Sequence, residues 1–342
     1  MSEGRDVRHA GASREEGFGR KFDSQGVLRV PASGQLRTAL QALGTARAGN
    51  MARAPDITSA RLDFDARLRA ALRDRIPPSV TDQVKFSECS VAGVRVVLVH
   101  PDDPLKGGLI HVHGGGWCLG SPDSLRPALA RMAIATSTVV ASIDYRLAPE
   151  HPHPAPLDDC VAAIAGLVEH WHAAHGFAPG RRVVLTGESA GAHLGLLAML
   201  RVRERGLRFA GACLTYGLFD LSNTLPSRGR NAGSALLDAR ACRSFVHAYL
   251  GADRPVDASV SPALLAPAAL RDLGPALFCV GTADPLFDDS VALHERWRDA
   301  KNPAWRVEYE EAPHAFDLLP VPEASHLIRM QARFVRHCLD CA

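Results

Sequence analysis

The pentapeptide Gly187–Gly191, with the sequence GESAG, is the feature that most restricts how this 342-residue chain can fold. It follows an apolar, β-branched run over Arg182–Thr186, which predicts a buried strand, and it precedes a run of small and apolar residues that predicts a helix. A chain that passes from strand to helix this quickly must turn sharply at Ser189, and the flanking Gly187 and Gly191 avoid a collision of side chains. The pattern therefore predicts a strained turn that exposes the Ser189 hydroxyl at a helix N-terminus, where negative charge is favoured.

A second motif, HGGG, begins with His113 and Gly114 and follows another predicted strand at Leu109–Val112. Consecutive glycines leave backbone N–H groups unshielded, so that a substrate oxygen can approach them closely. No GKS or GKT sequence follows, which argues against a phosphate-binding P-loop. The two motifs in this order indicate a serine hydrolase. We expect the oxyanion hole to be formed by the backbone N–H groups of Gly115, Gly116 and Ala190.

A nucleophilic serine needs a histidine base that an acidic residue orients, and in this type of fold the acid precedes the histidine in the chain. The apolar run Pro275–Gly281 predicts a strand, and Asp284 comes just after it, at the sheet edge where sites gather. Asp288 and Asp289 are rivals, but they fall within the helix that Pro285 opens, and we expect Asp289 to be exposed there. Asp284 is therefore the expected acid, with a helix cap as its alternative role.

The expected base is His314. The alternating run Trp305–Glu310 predicts a final strand, and His314 lies on the loop just beyond it. His294 and His326 also follow the expected acid, but both fall on predicted helices. We therefore expect the His314 imidazole to reach the hydroxyl of Ser189.

On these motifs and three further stretches, the chain resembles the hormone-sensitive-lipase family of α/β-hydrolases from Val84 to its C-terminus. The further stretches are DYRLAPEHP at Asp144–Pro152, LDDC at Leu157–Cys160 and DPLFDD at Asp284–Asp289. The stretches Tyr216–Asp220 and Asp284–Ser290 resemble the bacterial acetyl esterases within this family. The resemblance implies the site residues expected above, which are catalytic Ser189, Asp284 and His314 with an oxyanion hole at Gly115, Gly116 and Ala190.

Two positions depart from the pattern of this family. Glu188 stands where many members carry Asp, and Ala192 stands where many carry a second Gly. We expect neither residue to touch the catalytic triad.

Strand-like and helical runs alternate along most of the chain. This alternation predicts a mostly parallel sheet flanked by helices, and with the resemblance it gives an α/β-hydrolase fold on eight strands. The first two strands, joined around Val91–Gly93, are expected to form an antiparallel hairpin. The predicted strands are Val84–Cys89, Val94–His100, Leu109–His113, Val139–Asp144, Arg182–Thr186, Ala212–Tyr216, Ala276–Gly281 and Trp305–Glu310.

Two segments lie outside the predicted sheet and define the expected domain organisation. The catalytic domain is expected at residues 81–220 and 263–342. Residues 1–80 have a polar start that is expected to be disordered, and residues 221–262 form an insertion. In the family that the chain resembles, such segments pack as a helical cap over the active site, whereas ordinary surface decoration is the alternative. Their helices are predicted at Leu36–Ala48, Ser59–Asp74 and Asp238–Leu250.

Composition excludes several classes of function. The chain has 39 basic and 37 acidic residues, a net charge of +2, so nothing suggests a nucleic acid or an anionic membrane as partner. It has no secretory signal pattern and no apolar run long enough to span a bilayer, which favours a cytoplasmic protein. The eight cysteines are scattered, and the pair Cys338 and Cys341 lacks further ligands, so zinc is not expected.

The expected function is hydrolysis of short-chain, acetyl-like carboxylic esters through an acyl-enzyme intermediate. The expected partner is a small-molecule ester, a homodimer is allowed, and no metal or organic cofactor is required. A serine amidase or formamidase of the same fold uses the same triad and is the main alternative. A non-catalytic small-molecule receptor is a weaker alternative, because such receptors typically lose the base and His314 is present here.

Overall fold

The computed structural model describes residues 18–43, 56–102, 104, 107–175, 182–230, 236–251 and 254–341. The expected disorder at the start of the chain concerns residues 1–17, which lie outside the described residues. The last five residues of the predicted helix Leu36–Ala48 lie outside them as well.

One sheet contains nine strands within the described residues, and it runs in the order β1-β9-β8-β7-β6-β4-β5-β3-β2. Neighbouring strands are parallel except for the β2–β3 hairpin and the β3–β5 pair, which are antiparallel. The α/β-hydrolase fold, the hairpin and all eight predicted strands are confirmed. The strands are β1 Val27–Val30, β2 Val84–Val91, β3 Val94–Pro101, β4 Gly108–Val112, β5 Val139–Asp144, β6 Val183–Glu188, β7 Gly211–Thr215, β8 Ala276–Gly281 and β9 Ala304–Tyr309.

The prediction of eight strands missed β1. This strand is only four residues long and pairs in parallel with β9 at the edge of the sheet. Its Arg29 side chain is exposed and lies 3.2 Å from a carboxylate oxygen of Glu308 on β9. Strand β1 is short and carries Arg29 near its centre, so it has no apolar pattern that would predict a strand. It forms a strand because the edge of β9 is available to pair with it.

Helices cover both faces of the sheet, and each face has its own hydrophobic core. One core includes residues of α5, α6 and α9, and the other includes residues of α1, α4 and α10. No helix in the described ranges is both long and apolar enough to cross a membrane. The helices are α1 Gly34–Leu43, α2 Ile57–Arg73, α3 Pro78–Thr81, α4 Arg126–Thr136, α5 Ala155–His175, α6 Ala190–Glu204, α7 Ser227–Arg230, α8 Ala239–Leu250, α9 Phe287–Asp299 and α10 Pro322–Cys341.

Helices α2 and α8 meet above the HGGG loop. Asp56 and Asp238 cap their N-termini, accepting hydrogen bonds from Ser59 N and Ala241 N at 2.8 and 2.7 Å. Apolar residues from the two helices pack around buried residues of the loop in one small cluster, which contains Ile57, Ala60, Phe64, Cys118, Leu119, Ala148, Phe245 and Ala248. The two helices thereby form part of the roof over the carboxyl edge of the sheet.

Candidate active site

Ser189 occupies the sharp turn between β6 and α6. Its backbone has φ 54° and ψ −122°, a strained conformation for a residue with a side chain. A Cβ atom on Gly187 would lie 2.7 Å from the carbonyl carbon of Gly191, so Gly187 is needed by the turn itself. A Cβ atom on Gly191 would lie 2.0 Å from Val112 O, so this glycine lets α6 approach β4. The strain that the motif predicts is therefore present, and the two glycines serve different contacts.

The structure brings the three predicted catalytic side chains together. His314 Nε2 lies 3.0 Å from Ser189 Oγ, and His314 Nδ1 lies 2.8 Å from Asp284 Oδ2. Asp284 is fully buried, and its other oxygen accepts a hydrogen bond from Leu286 N at 2.7 Å. This arrangement fits an imidazole that donates from Nδ1 to the carboxylate and accepts the serine proton at Nε2.

The expectation that Asp289 is exposed is wrong. Asp289 is fully buried on α9, and its carboxylate pairs with Arg228 at 2.6 Å. The same carboxylate accepts hydrogen bonds from Phe219 N and Asp220 N, both at 2.7 Å. Burial raises the pKa of Asp289 in spite of the opposing guanidinium charge. The helix pattern could not show this, because the covering chain comes from residues about 60 to 70 positions earlier.

Glu188 joins the serine turn to the HGGG loop. One carboxylate oxygen accepts a hydrogen bond from Gly114 N at 2.8 Å, and the other lies 3.0 Å from His111 Nε2. Burial would raise the pKa of Glu188, but the charge and hydrogen bond of His111, with the Gly114 N–H, bring the pKa below its usual range. Sequence reasoning treated Glu188 only as a departure from a family pattern and missed this contact.

The HGGG loop exposes backbone N–H groups next to Ser189. Gly115 and Gly116 have φ of 114° and 60°, and a Cβ on either would lie 2.1–2.2 Å from a neighbouring atom. No described residue accepts a hydrogen bond from the N–H of Gly115, Gly116 or Ala190. These three donors are therefore open to a substrate oxygen. His113, in contrast, is buried with its ring stacked on Tyr145 at 4.2 Å, which makes it a structural residue.

We expect Glu188→Ala to lower kcat by about 10- to 100-fold, since one displaced oxyanion donor typically costs up to about 10³ in kcat. The substitution removes the acceptor that holds Gly114 and leaves the triad side chains in place. The measurement is steady-state hydrolysis of p-nitrophenyl acetate together with thermal unfolding. Glu150→Ala is the matched control, because Glu150 makes a partly exposed ion pair with Arg61. Unchanged kcat in Glu188→Ala would show that this contact does not hold the loop.

Tyr216 and Asp317 are site residues that sequence reasoning did not find. The Tyr216 ring contacts the His314 imidazole edge-on, with ring centroids 4.7 Å apart. Its hydroxyl donates to Asp317 Oδ1 at 2.6 Å. Burial raises the pKa of both Tyr216 and Asp317. Nothing in the sequence signalled this pair, because its two members lie 101 positions apart.

A cavity of about 510 Å³ opens at Ser189 and His314. This volume falls in the usual range for small-molecule sites. One part of its wall comes from the roof helices, and another comes from the sheet face and the helices that cover it. Residues that represent these walls are Leu68 on α2, Phe245 on α8, Leu109 on β4, Met132 on α4 and Val335 on α10.

Comparison with known proteins agrees with the fold. The Abhydrolase_3 family model, described by its alpha/beta hydrolase fold, matches residues 109–318. An acetyl-hydrolase of Streptomyces hygroscopicus is 32% identical over 288 residues, which cover 82% of this chain and 90% of that protein. The esterase LipI of Mycobacterium tuberculosis is 34% identical over 206 residues, which cover 57% of this chain and only 61% of LipI.

A solved structure of an esterase from the bacterial hormone-sensitive lipase family superposes with a TM-score of 0.76. It is 28% identical, and the match covers 90% of this chain and 99% of that one. The fold and the serine turn define an α/β-hydrolase. Within that class, the chain belongs to the hormone-sensitive-lipase family.

Proposed function

We propose that this chain is a serine carboxylesterase that acts on short-chain acyl esters through Ser189, His314 and Asp284. The observation that carries the proposal is the hydrogen-bond chain from Ser189 Oγ through His314 to Asp284, which lies beside three open backbone N–H groups. Family membership and the names of the relatives, esterase and acetyl-hydrolase, support ester hydrolysis as the reaction class.

The mechanism that this geometry supports has two acyl-transfer steps. His314 Nε2 takes the Ser189 proton while Oγ bonds to the ester carbonyl carbon, and the oxyanion accepts hydrogen bonds from the open N–H groups. His314 then gives that proton to the leaving alcohol oxygen as the carbon–oxygen bond breaks. Water then attacks the carbonyl carbon of the acyl-enzyme while His314 takes its proton. His314 returns that proton to Ser189 Oγ as the bond to the acyl carbon breaks, and the acid is released. Throughout, Asp284 holds the imidazole tautomer and stabilises the imidazolium.

The roof formed by α2 and α8 is proposed to act as the cap of the site. Phe245 on α8 contacts the glycine loop so closely that a Cβ on Gly116 would lie 2.2 Å from its ring. Such a roof excludes bulk solvent from the site and limits the shape of bound substrates. The division into a catalytic domain at 81–220 and 263–342 with cap segments at 1–80 and 221–262 is part of this proposal. Cytoplasmic location and dimer formation stay predictions from the sequence.

A medium-chain esterase is a second candidate, and the cavity favours it. An apolar arm of the cavity continues between the sheet and the helices α4 and α10, past Leu109, Met132 and Val335. If an acyl chain enters this arm, it gains about 0.8 kcal/mol for each buried methylene. If the arm does not receive the acyl chain, added methylenes must displace packed side chains, which costs more than burial returns.

We expect kcat/KM on p-nitrophenyl esters to peak between acetyl and butyryl and to fall steeply by octanoyl, without activation at a lipid–water interface. The measurement is an acyl series from two to ten carbons, with the matched p-nitroanilides run in parallel. A profile that still rises at decanoyl would replace the short-chain proposal with the medium-chain candidate. Anilide rates equal to the ester rates would favour the amidase alternative.

A further inference from the structure

Tyr216, which directly follows β7, has a strained backbone. Its φ of 34° falls in the left-handed region, which a residue with a side chain rarely adopts. Its backbone N–H donates a hydrogen bond of 2.7 Å to Cys279 O on β8. Backbone strain persists only where the surrounding structure imposes it, and it is concentrated at functional sites. Here the strained turn places the Tyr216 ring beside the His314 imidazole.

The loop that carries His314 holds Tyr216 at two points. The His314 ring lies edge-on to the Tyr216 ring at 4.7 Å between centroids. Three residues later, Asp317 Oδ1 accepts a hydrogen bond of 2.6 Å from the Tyr216 hydroxyl. Between these two contacts, Ala315 is left-handed with φ 53° and ψ 32°, and the buried Phe316 packs edge-on against the same tyrosine ring. The position of the Tyr216 ring is therefore fixed relative to the imidazole.

The contact with Tyr216 matters most after Ser189 has been acylated. Before the reaction, hydrogen bonds hold both nitrogens of the imidazole, at 3.0 Å from Ser189 Oγ and 2.8 Å from Asp284 Oδ2. In the acyl-enzyme Oγ belongs to the ester and carries no proton, so the first of these bonds is lost. The Asp284 contact alone leaves the imidazole free to tilt, and Nε2 must still point at the attacking water. The Tyr216 ring restricts that tilt.

We infer that Tyr216, tethered by Asp317, is a positioning residue that keeps the His314 imidazole aligned for deacylation. The inference rests on the proposed esterase function and assigns this pair to its second step. Neither side chain bonds to Ser189, so both act through the base. A general base contributes about 10²- to 10⁴-fold to a rate, and a misaligned base loses part of that contribution.

The test separates the two chemical steps in Tyr216→Leu protein, which lacks the ring. In rapid-mixing experiments with p-nitrophenyl acetate, the initial burst of p-nitrophenol reports acylation and the later steady rate reports deacylation. We expect deacylation to slow by about 10- to 100-fold while acylation changes far less. Mass spectrometry of acid-quenched protein should then find more acetyl-Ser189 than in the wild type. Titration with a fluorophosphonate probe gives the concentration of folded active sites to which both rates refer.

Two substitutions of Asp317 test the tether without removing the ring. Asp317→Asn keeps an acceptor for the Tyr216 hydroxyl and should retain the wild-type deacylation rate. Asp317→Ala removes the acceptor and should slow deacylation by about tenfold or less, the usual worth of one hydrogen bond. Asp317→Asn also changes the charge next to Glu188 and Arg75. A normal rate in this variant would therefore assign the effect to the hydrogen bond rather than to charge.

The matched control compares two buried tyrosines. Tyr309 lies in the same hydrophobic core as Tyr216, and its hydroxyl is 3.1 Å from Nδ1 of His326, which is not part of the triad. Tyr309→Phe and Tyr216→Phe each delete one hydroxyl from that core. Both variants should lose some thermal stability, but only Tyr216→Phe should slow deacylation.

The outcomes separate this inference from the proposed function. Equal losses of acylation and deacylation, or a wild-type deacylation rate in both Tyr216→Leu and Asp317→Ala, would overturn the positioning role and leave the esterase proposal standing. Equal losses in Asp317→Asn and Asp317→Ala would overturn the tether. If Tyr216→Leu does not fold, the two Asp317 variants decide the question. A wild-type protein that does not hydrolyse p-nitrophenyl acetate would overturn the esterase proposal itself.

Discussion

Ser189→Ala should lower kcat on p-nitrophenyl acetate by about 10⁴- to 10⁶-fold, the usual cost of removing a triad member. The change deletes the one oxygen that lies 3.0 Å from His314 Nε2. It keeps the turn, because the hydrogen bond from the residue 189 N–H to Thr215 O does not involve the side chain. A fluorophosphonate probe should label the wild-type protein and fail to label the variant.

The control for this prediction is Ser244→Ala. Ser244 lies on α8, and its hydroxyl donates to Arg240 O on the same exposed helix face. We expect its activity, its labelling and its thermal unfolding to match the wild type. Ser189→Ala protein that unfolds normally but retains wild-type kcat would remove Ser189 as nucleophile, and the esterase mechanism would fail with it.

The parts of the site that could be predicted from the sequence are those that local chain geometry determines. A serine between a strand and a helix, with glycines on both sides, can adopt few backbone conformations. The GESAG sequence therefore predicts the turn from local geometry alone. Asp284 and His314 were found in the same way, because each directly follows a strand-like run. Parallel strands then bring their carboxyl ends to one edge, which explains why residues 125 positions apart meet.

The parts that could not be predicted depend on contacts that no local pattern encodes. The variable position of the motif, which Glu188 occupies, predicts no particular contact. Its carboxylate nevertheless accepts a hydrogen bond from the N–H of Gly114, 74 residues earlier. The exposed or buried state of Asp289 depends on which segment covers α9, and a helix pattern alone does not identify that segment. The strand β1 was missed for a similar reason, since a short polar-centred run becomes a strand only when an edge is available to pair with it.

Helix α7 is a segment that covers Asp289, and its contacts explain the role of this carboxylate. Arg228, on α7, donates to both carboxylate oxygens of Asp289 and to the carbonyl oxygens of Asp220 and Pro285. Pro285 directly follows Asp284, so this buried pair joins the chain after β7 to the loop that carries the catalytic acid. The loop has to hold Asp284 Oδ2 at 2.8 Å from His314 Nδ1. Asp289 therefore supports the site through the fold, whereas Asp284 is expected to act in the chemistry.

Asp284→Asn and Asp289→Asn should consequently fail in different ways. Asp284→Asn should lower kcat by about 10⁴-fold with little loss of stability, because an amide favours the wrong imidazole tautomer. Asp289→Asn should lower the free energy of unfolding by about 3–5 kcal/mol, because it leaves the Arg228 charge buried without its carboxylate. Urea unfolding and kcat per folded molecule, measured on both variants, separate the two effects. If Asp289→Asn instead lost kcat at unchanged stability while Asp284→Asn lost stability alone, the acid of the triad would have to be reassigned to Asp289.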